Sequence, residues 1–369
     1  MQATSIDVFR VPTGGPGDVT GLLALISSGA LDPSSIIAVL GKTEGNGGVN
    51  DFTREYAVAA LCAALAPRLG LDPRAVEEKI AFVMSGGTEG VLSPHLTVFA
   101  RNEVATTSPK TSPDNKRLSI GIAHTREFLP EEIGRDAQIE ETMHAVRHAM
   151  ADGGIDDPSD VHFVQVKCPL LTSERMAAAA ARGHKAVTSS AYASMGYSRG
   201  ASSIGVARAL GEVAENVGEA RVLKDWDCFS SVASASAGIE LMQNVVIVMG
   251  NAQASQSRFV IGHAVMRDAI DFPAVLQAIR SVGLDPFDMQ SQARLVNAFA
   301  KAEASPDGVV RGCRHTMLED SDINATRHAR AAVGGLVGGL AGTGAIYVSG
   351  GAEHQGPPGG GPIAVIARV

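Results

Sequence analysis

AFVMSGGTE (Ala81 to Glu89), VASASAGIE (Val232 to Glu240) and AIYVSGGAE (Ala345 to Glu353) are three versions of one segment. Each is a short β-branched or alanine-rich run that ends in serine, a small residue, glycine and, two positions on, an acid. A run of this length bounded by glycine reads as a buried strand entering a tight turn. Each copy has the same upstream partner, an amphipathic helix, then G-x-[LI]-D (G-L-D in the third) with a nearby proline, then an apolar run ending in lysine. The three partners are DVTGLLALISSGALDPSSIIAVLGK (Asp18 to Lys42), ETMHAVRHAMADGGIDDPSDVHFVQVK (Glu141 to Lys167) and FPAVLQAIRSVGLDPFDMQSQARLVNAFAK (Phe272 to Lys301). Glycine permits the left-handed helix cap, and aspartate with proline sets the turn before the strand. Each lysine is therefore expected at a strand end.

Between lysine and serine, a Thr/Ser-Arg pair opens an alanine-rich helical stretch: Thr53-Arg54, Ser198-Arg199 and Thr326-Arg327. The lysine-to-serine spacings are 43, 69 and 48 residues, so order is kept while loop length varies. That is the signature of an internal structural repeat. The expected fold class is α/β, with three similar repeat units in which helices cover a small sheet. The units are assigned to residues 1–105, 115–252 and 258–369, with polar linkers at Thr106 to Arg117 and Ala252 to Arg258.

Composition narrows the function. The chain has 369 residues and a net charge of −8, with basic residues scattered singly, which excludes a nucleic-acid-binding stripe. No apolar stretch is long enough to span a bilayer and the N-terminus lacks a signal-peptide pattern, so a cytoplasmic location is expected. Cys62, Cys168, Cys228 and Cys313 are far apart and read as reduced thiols. His144 and His148 stand four apart on a predicted helix and read as a solvated face. The chain contains 41 glycines and only 4% aromatics, which points to close backbone approaches and a core of small aliphatic side chains.

Turn geometry alone accounts for repeated glycines and has no need of repeated lysine and arginine. A serine hydroxyl becomes nucleophilic when a base takes its proton, and a lysine serves once burial and neighbouring cations have lowered its pKa. Small residues after each serine let backbone N–H groups hold a carbonyl oxygen, and arginine adds forked donors. The glycine-rich C-terminus, SGGAEHQGPPGGGP (Ser349 to Pro362), lacks a phosphate-loop order. It suits instead a hard cation held by carbonyl oxygens and one carboxylate, which Glu303 could supply.

The threefold Lys, Arg, Ser-[GA]-G pattern, the opening IDVFRVPTGGPGDVTGL (Ile6 to Leu22) and the ending YVSGGAEHQGPPGGGP resemble the cyclic amide hydrolases over the whole chain. The resemblance implies three similar α/β repeat units around a pseudo-threefold axis, forming a barrel-like body with one central active site. It also implies hydrolytic opening of cyanuric acid to carboxybiuret, in s-triazine degradation, with barbituric acid as the alternative ring. A non-catalytic sensor of planar heterocycles is the rival of another class. It implies that Lys167 activates Ser236, with Lys42, Lys301, Ser85 and Ser349 completing three equivalent pairs. Arg54, Arg199, Ser85 with Gly86, Ser236 with Ala237, and Ser349 with Gly350 would grip the ring. In the third unit the register leaves Arg327 and Arg330 both open, one helical turn apart. No organic cofactor is implied. A structural divalent cation, magnesium or calcium, would use Glu303 with backbone or amide oxygens from Ala352, Gln355, Gly356, Pro357 and Gly360. The small cyclic amide is the expected partner, with no nucleic acid or membrane, in a homotetramer.

Overall fold

The computed structural model describes residues 3–104 and 115–369. The expected linker Thr106 to Arg117 therefore falls largely outside the described residues. In the first unit β1 (Ala3–Pro12) leads through α1 (Thr20–Ser27) to β2 (Ile36–Thr43), then α2 (Phe52–Leu69), α3 (Pro73–Lys79), β3 (Ala81–Gly86) and β4 (His95–Val104). The second repeats this order with β5 (Arg117–His124), α4 (Asp136–Gly153), β6 (Val161–Pro169), α5 (Ser173–Ala181), α6 (Ala191–Ala209), β7 (Ala233–Gly238) and β8 (Val245–Ala252). The third has β9 (Phe259–Met266), α7 (Phe272–Ser281), α8 (Met289–Gln292), β10 (Leu295–Ala302), a small hairpin of β11 (Val309–Val310) and β12 (Cys313–Arg314), α9 (Ala325–Ala341), β13 (Tyr347–Gly350) and β14 (Gly361–Arg368).

Three four-stranded sheets result among the described residues, in the orders β1-β4-β2-β3, β5-β8-β6-β7 and β9-β14-β10-β13. The topology is one pattern used three times. In each sheet the lysine strand pairs in parallel with the serine strand, and the helix between them makes the crossover that a parallel pair requires.

Strand alternation then fixes where the polar residues point. On β2, Ala38 and Leu40 belong to a central cluster shared by all three sheets, while Ile36 and Val39 pack against the unit's own helices. Lys42 continues the inner row, as Lys167 does after Phe163 and Lys301 after Phe299. Ser85 follows Ala81 and Val83, and Ser349 follows Tyr347, on the same inner face. Both faces of every sheet are buried, the outer one on helices and the inner one on the central cluster. Phe163, Phe299 and Tyr347 pack through that centre as tilted rings, with centroids 5.3 and 5.8 Å apart. The apolar strands end on the axis, and the three lysine–serine pairs close that end of the core.

One local expectation is corrected. Arg54 and Arg327 do lie in the first turns of α2 and α9, but Ser198-Arg199 lies in the middle of α6, which starts at Ala191. The Ser190 hydroxyl caps α6, so the longer insertion of the second unit adds helix ahead of the arginine. His144 and His148 are exposed on α4, and all four cysteines are free thiols. No helix among the described residues is long and apolar enough to cross a membrane.

Candidate active site

Parallel pairing sets each lysine beside its serine: Lys42 opposite Ser85, Lys167 opposite Ser236, Lys301 opposite Ser349. The three serines line one small cavity with Arg54, Arg199, Arg330, Gly86, Ala237 and Gly350. Ser236 Oγ and Ser349 Oγ are 3.1 Å apart. The lysines sit beneath, each at most 1% exposed. Arg54 and Gly350, 296 positions apart in the sequence, thus line one cavity only because the three sheets share an axis.

The pairs are not identical. Lys42 Nζ donates to Ser85 Oγ at 3.1 Å, and Lys301 Nζ donates to Ser349 Oγ at 3.2 Å. Lys167 Nζ instead donates to the Met84 carbonyl at 3.3 Å and pairs with Glu240 at 2.6 Å. Burial lowers all three ammonium pKa values. Lys42 falls well below the usual range, with Arg330 adding to the effect, and Lys301 falls to about 7, with Arg199 adding. Burial lowers Lys167 too, while Glu240 opposes the shift and Arg54 favours it. Against the penalty of burial, Lys167 and Arg54 hold the Glu240 carboxylate down to about 2.

In the third unit, tertiary placement sets Arg330 and not Arg327 in the wall of the small cavity. Arg330 is buried and lines the cavity, held by Glu89 through Nε at 2.7 Å and Nη2 at 2.5 Å. Arg327 stands at the wider mouth with its side chain 43% exposed, touching Glu89 at 3.2 Å. Arg199 is held in the same fork by Glu353, at 2.7 and 2.6 Å.

The acid that ends each repeated segment was visible in the sequence without a role, and these pairings provide one. Met84, Met195 and Gly47 also line the cavity, and no sequence signal marked them. Tyr347 was missed as well. It lies two residues before Ser349 on the inner face, fully buried, its hydroxyl without a hydrogen-bond partner and directed toward Ser85 and Ser236.

The C-terminal loop braces the second unit. Gln355 Oε1 accepts from the Ala235 amide at 2.7 Å, one residue before Ser236, and Gln355 Nε2 donates to the Gly351 and Glu353 carbonyls. Gly359 packs so closely on Ser305 that a Cβ would stand 2.8 Å from the serine Cβ, which sets the loop beside Glu303. Burial, then the charge of Glu353, pushes the Glu303 carboxyl above the usual range, a setting that a cation would relieve. No group of three or more His, Cys, Asp or Glu that could hold a metal exists among the described residues. A hard cation held there would draw on one carboxylate with loop carbonyls, and Gln355 would contribute its main-chain oxygen because its side chain is committed.

Residues 7–368 match the family described as amidohydrolase ring-opening protein. The chain belongs to the ring-opening amidohydrolases. The cyclic amide hydrolase resemblance read from the repeats is the same grouping, and it makes the chain a hydrolase. A relative from Bradyrhizobium diazoefficiens, named cyanuric acid amidohydrolase, is 70% identical with 100% of each chain covered. Another of that name, from Pseudomonas sp. (strain ADP), is 59% identical with 99% of each covered. A solved structure described as cyanuric acid hydrolase, an evolutionary innovation by structural concatenation, superposes with a TM-score of 0.95 at 58% identity over 100% of both chains. Among ring-opening amidohydrolases, then, this chain keeps the same fold from end to end.

Proposed function

We propose that this protein opens cyanuric acid by hydrolysis, using Ser236 as nucleophile and Lys167 as its base. The observation that carries the reading is the single cavity where three serines, three buried lysines and three arginines converge. Cyanuric acid is a planar ring of alternating C=O and N–H groups, so a threefold donor set meets all three carbonyls at once. That fixes orientation before reaction. Full-length relatives named for this activity add support.

In this reading Ser85 with the Gly86 amide, and Ser349 with the Gly350 amide, hold two carbonyls, and Arg54, Arg199 and Arg330 supply forked donors. Neutral Lys167 takes the Ser236 proton as Oγ attacks the third carbonyl carbon. The backbone amide beyond Ser236 and the neighbouring donors hold the developing oxyanion. The ring C–N bond breaks as Lys167 returns that proton to nitrogen. Water, deprotonated by the same lysine, then resolves the acyl-enzyme to carboxybiuret, which loses CO2 to give biuret.

A second reading is favoured by the hydrogen bond from Lys42 to Ser85, which the second unit lacks in this state. Here Ser85 would be the nucleophile. Single alanine variants of Ser85, Ser236 and Ser349, assayed for cyanuric acid loss and for ring binding, separate the two. The proposal expects Ser236→Ala to bind without turnover; persistence of turnover there with loss in Ser85→Ala would transfer the role to the first unit. Equal or faster turnover of barbituric acid would overturn the substrate assignment, and binding without turnover by the unaltered protein would favour the sensor.

Glu303 and the carbonyls of Ala352, Gln355, Gly356, Pro357 and Gly360 would hold magnesium or calcium as a brace for the loop after Ser349. The ion would rigidify that loop. Thermal unfolding with and without chelator tests it, a shift in the native protein that is absent in Glu303→Gln being expected. Assembly into a homotetramer fits the exposed Phe52, Tyr56, Phe287 and Met289, and light scattering measures it directly.

A further inference from the structure

In the first and third units the acid after the serine crosses a unit boundary to an arginine. Glu89 takes Nε and Nη2 of Arg330, and Glu353 takes Nε and Nη2 of Arg199. The cyclic order requires Glu240 to take Arg54. It does not. Glu240 lies on Lys167 at 2.6 Å, while Arg54 reaches the Gly48 carbonyl at 3.0 Å and the Ala237 carbonyl at 3.5 Å. Arg54 Nε, the atom that its two counterparts give to a carboxylate, is buried with no hydrogen-bond partner.

The glycines show the same break. A Cβ on Gly87 would stand 2.5 Å from Arg330 Nε, and one on Gly351 would stand 2.5 Å from Arg199 Nε. In those units the second glycine makes room for the arginine. At Gly238 a Cβ would meet Glu240 Oε2 at 2.2 Å instead. The carboxylate occupies the space over the glycine, and the arginine's Nε is left without a partner.

We propose that Glu240 is a two-position positioning residue, resting on Lys167 in the free enzyme and moving to Arg54 Nε when the ring binds, which releases Lys167 to serve Ser236. This rests on the reading that the second unit reacts. The groups around the Glu240–Lys167 pair are Arg54 from α2, Cys168 on β6 and Arg175 from α5. With Glu240 on Arg54, the threefold pattern is complete and the buried Lys167 ammonium has lost its anion. It then gives its proton to solvent, and the neutral amine accepts the Ser236 Oγ proton for later transfer to the leaving ring nitrogen. The device keeps the reactive lysine charged and Ser236 unactivated until a ring is present.

The test counts protons. Ser236→Ala, and the double variant Ser236→Ala/Glu240→Gln, are titrated with cyanuric acid by calorimetry in buffers of different ionisation enthalpy at neutral pH. Any proton lost by the ring itself is common to both. One more proton per site released by the single variant is expected; equal counts would overturn the switch. Should Glu240→Gln fail to fold, a ring-bound crystal structure of Ser236→Ala decides: Glu240 within hydrogen-bond distance of Arg54 Nε supports the proposal, and Glu240 still on Lys167 refutes it. In Glu240→Gln alone, the acid limb of kcat/KM should move about one to three pH units lower. Turnover by Ser236→Ala would overturn the assignment of the second unit and the proposal with it, whereas equal proton counts in an inactive Ser236→Ala overturn the switch alone.

Discussion

Replacing Arg330 by lysine and, separately, Arg327 by alanine tests whether burial and direction decide which third-unit arginine serves the ring. Arg330 has a side chain 4% exposed and lines the cavity, and its Nε and Nη2 are fixed on Glu89, whose side chain is 12% exposed. Lysine preserves the charge opposite Glu89, so the full cost of an unpaired buried carboxylate is avoided. It removes the planar fork, and with it a preorganised donor to a ring oxygen. Loss of one such donor costs on the order of 3 kcal/mol in the transition state, or about 10²- to 10³-fold in kcat. Arg327 makes one 3.2 Å contact to the same carboxylate from a half-exposed position. A pair of that kind contributes at most about 1 kcal/mol, so Arg327→Ala should stay within roughly fivefold of the native rate. The assay is initial-rate loss of cyanuric acid over a range of concentrations, with thermal unfolding of each variant as the check on folding. Arg327→Ala falling as far as Arg330→Lys, with both proteins folded, would refute the reasoning, and so would a near-native Arg330→Lys.

Two further outcomes follow from the same geometry. An ammonium cannot accept a proton, and burial lowers the Lys167 pKa, so kcat/KM should rise with pH along a limb below the ordinary lysine range near 10.4; Lys167→Arg should abolish that limb and most activity, and an unchanged pH profile would remove Lys167 as the base. Gly86→Ala would set a Cβ 1.7 Å from Asp51 Oδ2, the buried side chain that caps α2, and should cost about 1–3 kcal/mol by chemical denaturation, whereas Ala237→Gly at the equivalent position should leave the cavity wall intact.

The repeated punctuation made much of the fold legible. Glycine caps, aspartate–proline turns and β-branched runs are local signals, and they set the lysines and serines at strand ends before any contact is known. Strand alternation then put Lys42, Lys167 and Lys301 on one face with inner apolar residues that precede them, Ala38 and Leu40, Phe163, and Phe299. The middle-of-helix position of Arg199 was hidden because a longer insertion moved the helix start without altering the local Ser-Arg signal.

Chain order determined that three like units carry lysine, arginine, serine and an acid, because those are choices of residue type made within one element at a time. Only the tertiary structure decided which arginine enters the cavity, since Arg327 and Arg330 differ by one helical turn and burial depends on what α9 packs against. Only it could show that the acids of the first and third units bind the neighbouring unit's arginine while Glu240 turns back to Lys167. Repetition in a sequence supplies equivalent parts; a single asymmetric packing around their common axis is what makes one of them different.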